Sequence, residues 1–251
     1  MKSISFLMAG CMILAAVAGC VDGGNGNDNT SGEFAVLARL AGGEWSNATV
    51  IGEITEIITA DNRAAPAGRT KTAPSFEFKA EGASDAVWGF GDGETGTGKE
   101  ASHTYAAPGE YLVIANSSGK SANITVAVNY LATGSDSVTT LPGSAAVVSQ
   151  EGTSYYTYKI ILPAGAKVQI DLDGTGTVDA ASDIDMRILD PSGKEIASST
   201  GATTDEQIAI KKTKAAGEYT LLIGQLPGGP DSLYTSVGDV PYTFKVLATY
   251  V

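Results

Sequence analysis

The sequence predicts an all-β protein made of two antiparallel β-sandwiches. Gly, Thr, Val, Ser and Tyr are abundant while Leu-rich helical stretches are few, apolar and polar residues alternate in short runs, and turn residues punctuate those runs closely. Strands that follow one another with no long helical period between them pair antiparallel. The 251 residues, less an N-terminal segment ending at residue 19, are too many for one small domain and comfortable for two of about 100.

That segment, residues 1–19, reads as a secretory signal. Lys2 supplies one positive charge, and Ile4 to Ala18 is small or apolar apart from Ser5, a run shorter than the roughly 20 residues of a spanning helix. It ends in Val17-Ala18-Gly19-Cys20, which resembles a bacterial lipobox. The resemblance implies lipidation of Cys20 and a protein anchored to the membrane by its N-terminal lipid, facing the extracytoplasmic side of the cell envelope. Cys11 has too short an apolar run before it to compete. Residues 20–33 are almost all Gly, Asn, Asp, Ser and Thr, a composition that cannot bury a core and serves as a flexible tether. Deleting this tether is expected to leave folding intact and to reduce removal of the protein when intact cells are shaved with protease.

Composition excludes several classes of chemistry. Both Cys residues lie in the N-terminal region and acylation consumes Cys20, so the exported part has no thiol for a disulfide, a metal or nucleophilic attack. A single His excludes a His cluster around a metal and any two-His catalytic centre. The formal charge of −12, one unit more negative without Lys2, is repelled by phosphate backbones, so nucleic acid is not an expected partner. No nucleophile with its base is identifiable, and the expectation is a protein that is not an enzyme.

Residues 34–130 form the first predicted sandwich. Phe34 to Ala41 is apolar with a period that fits either a strand or a short helix, Glu53 to Ile58 alternates as a strand, and Asp61 to Pro74 is a polar loop. Phe76, Phe78 and Ala80 share one face of the next strand. In Ala86-Val87-Trp88-Gly89-Phe90-Gly91-Asp92-Gly93-Glu94, Trp88 and Phe90 share a face and can fill a core, while Gly91 and Gly93 supply the positive φ of a tight turn whose backbone N–H groups Asp92 caps. Ser102-His103-Thr104-Tyr105 and Pro108-Gly109-Glu110-Tyr111 follow. In this order the elements resemble the polycystic-kidney-disease (PKD) repeat over about residues 49–129, with Gly89 where that family usually has Asp. The resemblance implies an Ig-like sandwich in which His103 and Tyr105 staple loop to sheet. A general-base role for His103 is the competing reading, and it lacks a nucleophile and a third orienting group.

Residues 131–149 read as a linker and first strand region, with Gly134 to Gly143 as the linker proper, and 150–251 as the second sandwich. Strand-like runs are Tyr156 to Leu162, Lys167 to Leu172, Ile184 to Leu189, Gln207 to Ile210, Glu218 to Ile223 and Tyr242 to Leu247. Asp183-Ile184-Asp185, Asp190-Pro191-Ser192-Gly193 and Ala216-Gly217-Glu218-Tyr219, then a closing Tyr-Thr-Phe strand, resemble the bacterial pre-peptidase C-terminal (PPC) domain, which implies a jelly-roll-like sandwich. Asp171, Asp173, Asp179, Asp183 and Asp185 cluster near Gly174 and Gly176, hard oxygen ligands on a Gly-rich loop of the kind calcium uses, although the EF-hand spacing is absent. Solvated loop acids are the alternative, so calcium is the one cofactor left open.

PKD and PPC modules typically accompany secreted peptidases and glycosidases, but the residues outside these two modules are not expected to hold a catalytic domain. The resemblance therefore implies a non-catalytic envelope lipoprotein whose modules bind an extracellular protein or polysaccharide. The alternatives are a structural spacer or envelope-complex subunit, and an accessory factor of a secreted peptidase. Tyr155, Tyr156, Tyr158, Tyr234 and Tyr242 are the discriminating side chains: a flat exposed patch of them serves polymer binding, whereas a spacer leaves them scattered or buried.

Overall fold

The computed structural model describes residues 34–61, 69–140, 155–174, 184–200, 205–224 and 238–250, and every regular element among them is a strand. In the first module β1 (Ala35–Leu40), β4 (Ser75–Glu81) and β7 (Glu100–Thr104) form one antiparallel sheet. The ambiguous stretch after Phe34 is thus a strand, with Val36 and Ala38 buried. The facing sheet contains β2 (Val50–Ile58), β3 (Arg69–Thr72), β5 (Val87–Gly89), β6 (Thr95–Thr97), β8 (Gly109–Ser117) and the first part of β9 (Lys120–Thr140). Strand β3 corrects the expectation of a loop from Asp61 to Pro74. All four of its side chains are exposed, so it carries no apolar alternation for the sequence to reveal.

Period-two alternation becomes core packing here. Phe76 and Phe78 on β4 are fully buried, and the Phe78 ring lies 5.9 Å from Trp88 and 5.6 Å from Phe90. The Trp88 indole N–H donates to the Gly98 carbonyl at 2.8 Å, which removes the cost of burying its polar edge.

In the second module β10 (Tyr155–Leu162), β15 (Gly217–Gly224), β12 (Asp185–Leu189) and β13 (Glu195–Ser199) form one sheet. It faces β14 (Glu206–Ile210), β11 (Lys167–Gly174), β16 (Gly238–Thr249) and the second part of β9. Ile160, Leu162, Met186, Ile188, Leu221 and Ile223 pack against Val168, Ile170, Leu172, Phe244 and Val246 between the sheets.

The two modules share strand β9. Its Lys120–Val128 part pairs with β8, and its Tyr130–Thr140 part pairs with β16. Residues 134–140, read from their small polar side chains as the start of a linker, are therefore sheet. Gly134 explains the close fit: a Cβ there would lie 2.5 Å from the Phe244 ring and 2.8 Å from the Ile58 carbonyl oxygen. One pairing departs from the antiparallel rule, since β2 runs parallel to β9 with Val50 beside Val126 and Ile57 beside Thr133. The chain between them traverses most of the first module, long enough for the crossover that parallel strands need.

A polar network closes the junction. Glu56 on β2 is only 5% exposed; it accepts from the Tyr130 hydroxyl of β9 and from Arg69 of β3 at 3.4 Å. Arg69 also donates to the Lys159 carbonyl of β10, and the Asp61 N–H donates to the Thr157 carbonyl at 2.7 Å. A buried carboxylate is tolerated only with such partners. Burial, then the Glu56 hydrogen bond and charge, hold the Tyr130 phenol well above its ordinary pKa. Tyr130→Phe is expected to cost about 1–3 kcal/mol by leaving Glu56 short of a donor, read as a lower denaturation midpoint with unchanged slope.

Candidate functional site

Trp88, Phe90, Gly91, Asp92, Gly93, His103, Tyr105, Gly109 and Tyr111 come together at one end of the first module. Gly91 has φ +88°, and a Cβ there would meet the Leu112 carbonyl oxygen at 2.9 Å, so the turn excludes any larger residue. Asp92 Oδ1 accepts from the Glu94 N–H at 3.1 Å, and Oδ2 lies 2.6 Å from His103 Nε2. The His103 ring stacks on Phe90 at 4.3 Å and meets Tyr105 edge-on at 4.6 Å. Tyr105 donates to the Phe90 carbonyl at 2.8 Å and stacks on Tyr111 at 4.1 Å, while Tyr111 donates to the Ala107 carbonyl. Gly109 lies against the Tyr111 ring, where a Cβ would approach to 3.2 Å. The only imidazole of the chain is thus held between rings, with a carboxylate on Nε2 and, among the described residues, no hydroxyl bonded to it.

Burial opposes the charge on Asp92, but the hydrogen bonds from His103 and the Glu94 N–H and the His103 charge outweigh it and hold the carboxyl below its ordinary value of 3.8. A depressed folded-state pKa contributes stability that is fully present above the ordinary value and lost as pH falls through the folded one. Asp92→Asn is expected to cost about 1–2 kcal/mol near neutrality. The gap in melting temperature to the parent protein should close as pH falls past the ordinary carboxylate value and on through the lowered folded-state one.

Of the described carboxylates in the proposed calcium set, Asp171 and Asp173 share one strand face and Asp185 stands apart from them. Asp171 and Asp173 alternate with buried Ile170 and Leu172 on β11 and so face away from the core. Asp185 is buried on β12 of the opposite sheet, and Asp179 and Asp183 lie outside the described residues. Among the described residues, no group of three carboxylates or imidazoles could hold a metal ion.

The tyrosines likewise form no flat patch among the described residues. Tyr158 and Tyr242 are buried, with their hydroxyls 2.6 Å apart and the Tyr158 ring 4.5 Å from Phe244. Two buried phenols satisfy each other's polar ends, which is why these amphipathic side chains face inward. Burial, then the charge and hydrogen bond of Tyr158, push the Tyr242 phenol far up. Tyr155 and Tyr156 are half-buried on β10, and Tyr234 lies outside the described residues, as does Cys20.

The outward face of the shared sheet is the broadest candidate surface. Strand register lines up Gln207, Asp171, Lys245, Thr133, Ile57 and Thr70, one from each of β14, β11, β16, β9, β2 and β3. Asp171 Oδ1 accepts from Gln169 at 2.9 Å and Gln207 at 2.7 Å, whereas Lys245 has no ion pair among the described residues. Asp171, Asp173, Thr133, Ser135, Thr243 and Lys245 line a groove of about 540 Å³ together with Ile57, which is 61% exposed. The groove offers hydrogen-bond donors and acceptors beside the apolar side chains of Ile57, Ile58 and Phe244. The alternation of Lys167 to Leu172 already put Gln169 and Asp171 on one face. The pairing with Lys245 and Thr133 was hidden, because register between distant strands leaves no local trace.

A family model described as PKD domain matches residues 53–130, and one described as bacterial pre-peptidase C-terminal domain matches residues 154–225. No curated protein matches the chain. Among solved structures it is similar to PliG of Aeromonas hydrophila, a periplasmic inhibitor of g-type lysozyme, at 17% identity over 47% of this chain and 85% of that one, TM-score 0.30. It is also similar to the secreted serine protease VesC of Vibrio cholerae, at 12% identity over 69% of this chain and 45% of that one, TM-score 0.23. A third is ZmpB of Clostridium perfringens, its M60 catalytic domain with two CBM51 domains, at 12% identity over 92% of this chain and 32% of that one, TM-score 0.27. Likenesses this distant carry nothing about function. The family matches and the sheet topology agree: the chain carries a PKD domain followed by a bacterial pre-peptidase C-terminal domain, joined along strand β9.

Proposed function

We propose that the mature chain is a non-catalytic lipoprotein of the cell envelope, held to the membrane by lipid on Cys20, whose joined sandwiches bind an extracellular protein or polysaccharide. The observation that carries the reading is the six-strand outward row crossing both modules, with its groove at the junction. A row of Gln207, Asp171, Lys245 and Thr133 across neighbouring strands can offer an extended partner several hydrogen bonds.

The test is binding of the mature protein to immobilised matrix proteins and polysaccharides, with the Asp171→Ala/Lys245→Ala double variant alongside. At least one surface should retain the parent and lose the variant. No retention on any surface would favour the spacer reading, which the burial of Tyr158 and Tyr242 supports. The anchor is tested separately: labelled fatty acid should enter the parent protein and not Cys20→Ser, and equal labelling of both would remove the lipid from the reading.

A further inference from the structure

We propose that a second binding site, on the outward face of the β1–β4–β7 sheet, stacks the pyranose rings of a neutral polysaccharide on Trp45. This site lies apart from the junction groove and narrows the ligand to a neutral polysaccharide, and it rests on reading the chain as a binding module.

The chain has two Trp residues: Trp88 fills the first core, while Trp45 stands half-buried in the loop after β1, ahead of the matched PKD residues. The loop is pinned, because Ala38 and Ser46 exchange backbone hydrogen bonds of 2.9 Å in both directions. The Arg39 guanidinium lies 4.4 Å from the Trp45 ring centroid, and its Nε donates to Glu77 Oε2 at 2.6 Å. Register places Arg39 beside Glu77 and Glu77 beside Ser102, with Glu100 two residues along the same strand. These side chains line a cavity of about 420 Å³, within the roughly 300–1,000 Å³ of small-ligand sites.

Each part has a counterpart in a sugar. The guanidinium covers one face of the indole, and the half-buried ring also lines the cavity, where an aromatic surface can take the apolar C–H face of a pyranose. The fixed guanidinium–carboxylate pair presents a donor next to an acceptor, the pattern that adjacent ring hydroxyls match. The Trp45 indole N–H, the Ser102 hydroxyl and the Glu100 carboxylate have no hydrogen-bond partner among the described residues, so they are available to further hydroxyls. Two carboxylates in the cavity, on a chain of formal charge −12, select against uronates and sulfated sugars.

The mature protein is titrated with neutral hexasaccharides of glucose, mannose, galactose and N-acetylglucosamine, and with a hexauronate as the anionic control, by tryptophan fluorescence and calorimetry. At least one neutral hexasaccharide should bind saturably and change the fluorescence, and the hexauronate should not. Trp45→Ala and Glu77→Gln should each weaken binding about tenfold or more, and Trp45→Phe should retain most of it. If Trp45→Ala fails to fold, Glu100→Gln and Ser102→Ala on the exposed strand carry the test, each expected to weaken binding several-fold. Saturable binding by none of the neutral sugars, tighter binding of the hexauronate, or parent-like binding by the folded variants would overturn the proposal. Sugar binding that survives Trp45→Ala but is lost in Asp171→Ala/Lys245→Ala would overturn it while leaving the junction reading intact.

Discussion

Trp88→Ala is expected to cost about 3–5 kcal/mol, the range for emptying a large aromatic site in a core. The side chain is fully buried, touches the Phe78 ring, and donates to the Gly98 carbonyl, so truncation leaves both a cavity and an orphaned acceptor. The effect should reach further than the first module. Strand β9 carries hydrogen bonds to β8 at one end, to β16 at the other and to β2 across the middle, so melting the first sandwich strips partners from the second. Hydrogen exchange should therefore show β15 and β16 losing protection together with β4 and β8, in one transition shifted to lower denaturant. Protection of β15 and β16 that outlasts the loss of β4 and β8 would show instead that the modules unfold independently.

Gly134→Val is expected to cost about 3 kcal/mol or more through overpacking at the junction. Its first side-chain atom would meet the Phe244 ring at 2.5 Å and the Ile58 carbonyl at 2.8 Å, and β9 cannot retreat because β2 and β16 are bonded to its two edges. Adding Phe244→Ala removes one of the two obstacles, and the Ile58 backbone remains. The two substitutions should thus be non-additive, the double variant less destabilised than the sum of the singles in chemical denaturation. Simple additivity would mean that the ring is free to turn away from position 134.

The core of the first module was legible because its signals are local. Trp88 and Phe90 sit two residues apart, Gly91 and Gly93 mark a turn, and His103 and Tyr105 recur on one strand face. Even the Asp92 cap follows from the short reach of its side chain. Among the carboxylates, nearness in sequence is not nearness on a sandwich: Asp171 and Asp185 belong to opposite sheets. The burial of Tyr158 and Tyr242 was hidden for a different reason. Alternation tells which side chains share a face, but not which face turns inward, and a Tyr is at home on either.

By itself, the sequence determined the all-β class, the lack of a thiol after Cys20 and the isolation of one His, which follow from composition or from spacing along a few residues, while the order of the two modules came from the motifs that resemble their families. Only the tertiary structure decided that Gly134 to Thr140 is sheet, that Glu56, Tyr130 and Arg69 close the junction, and that Arg39, Trp45, Glu77 and Ser102 meet. These facts depend on register between strands far apart in the chain. Small polar residues such as Gly134 and Ser135 have little strand preference of their own, and it is the hydrogen bonds of β16 and the ring of Phe244 laid over Gly134 that hold them extended.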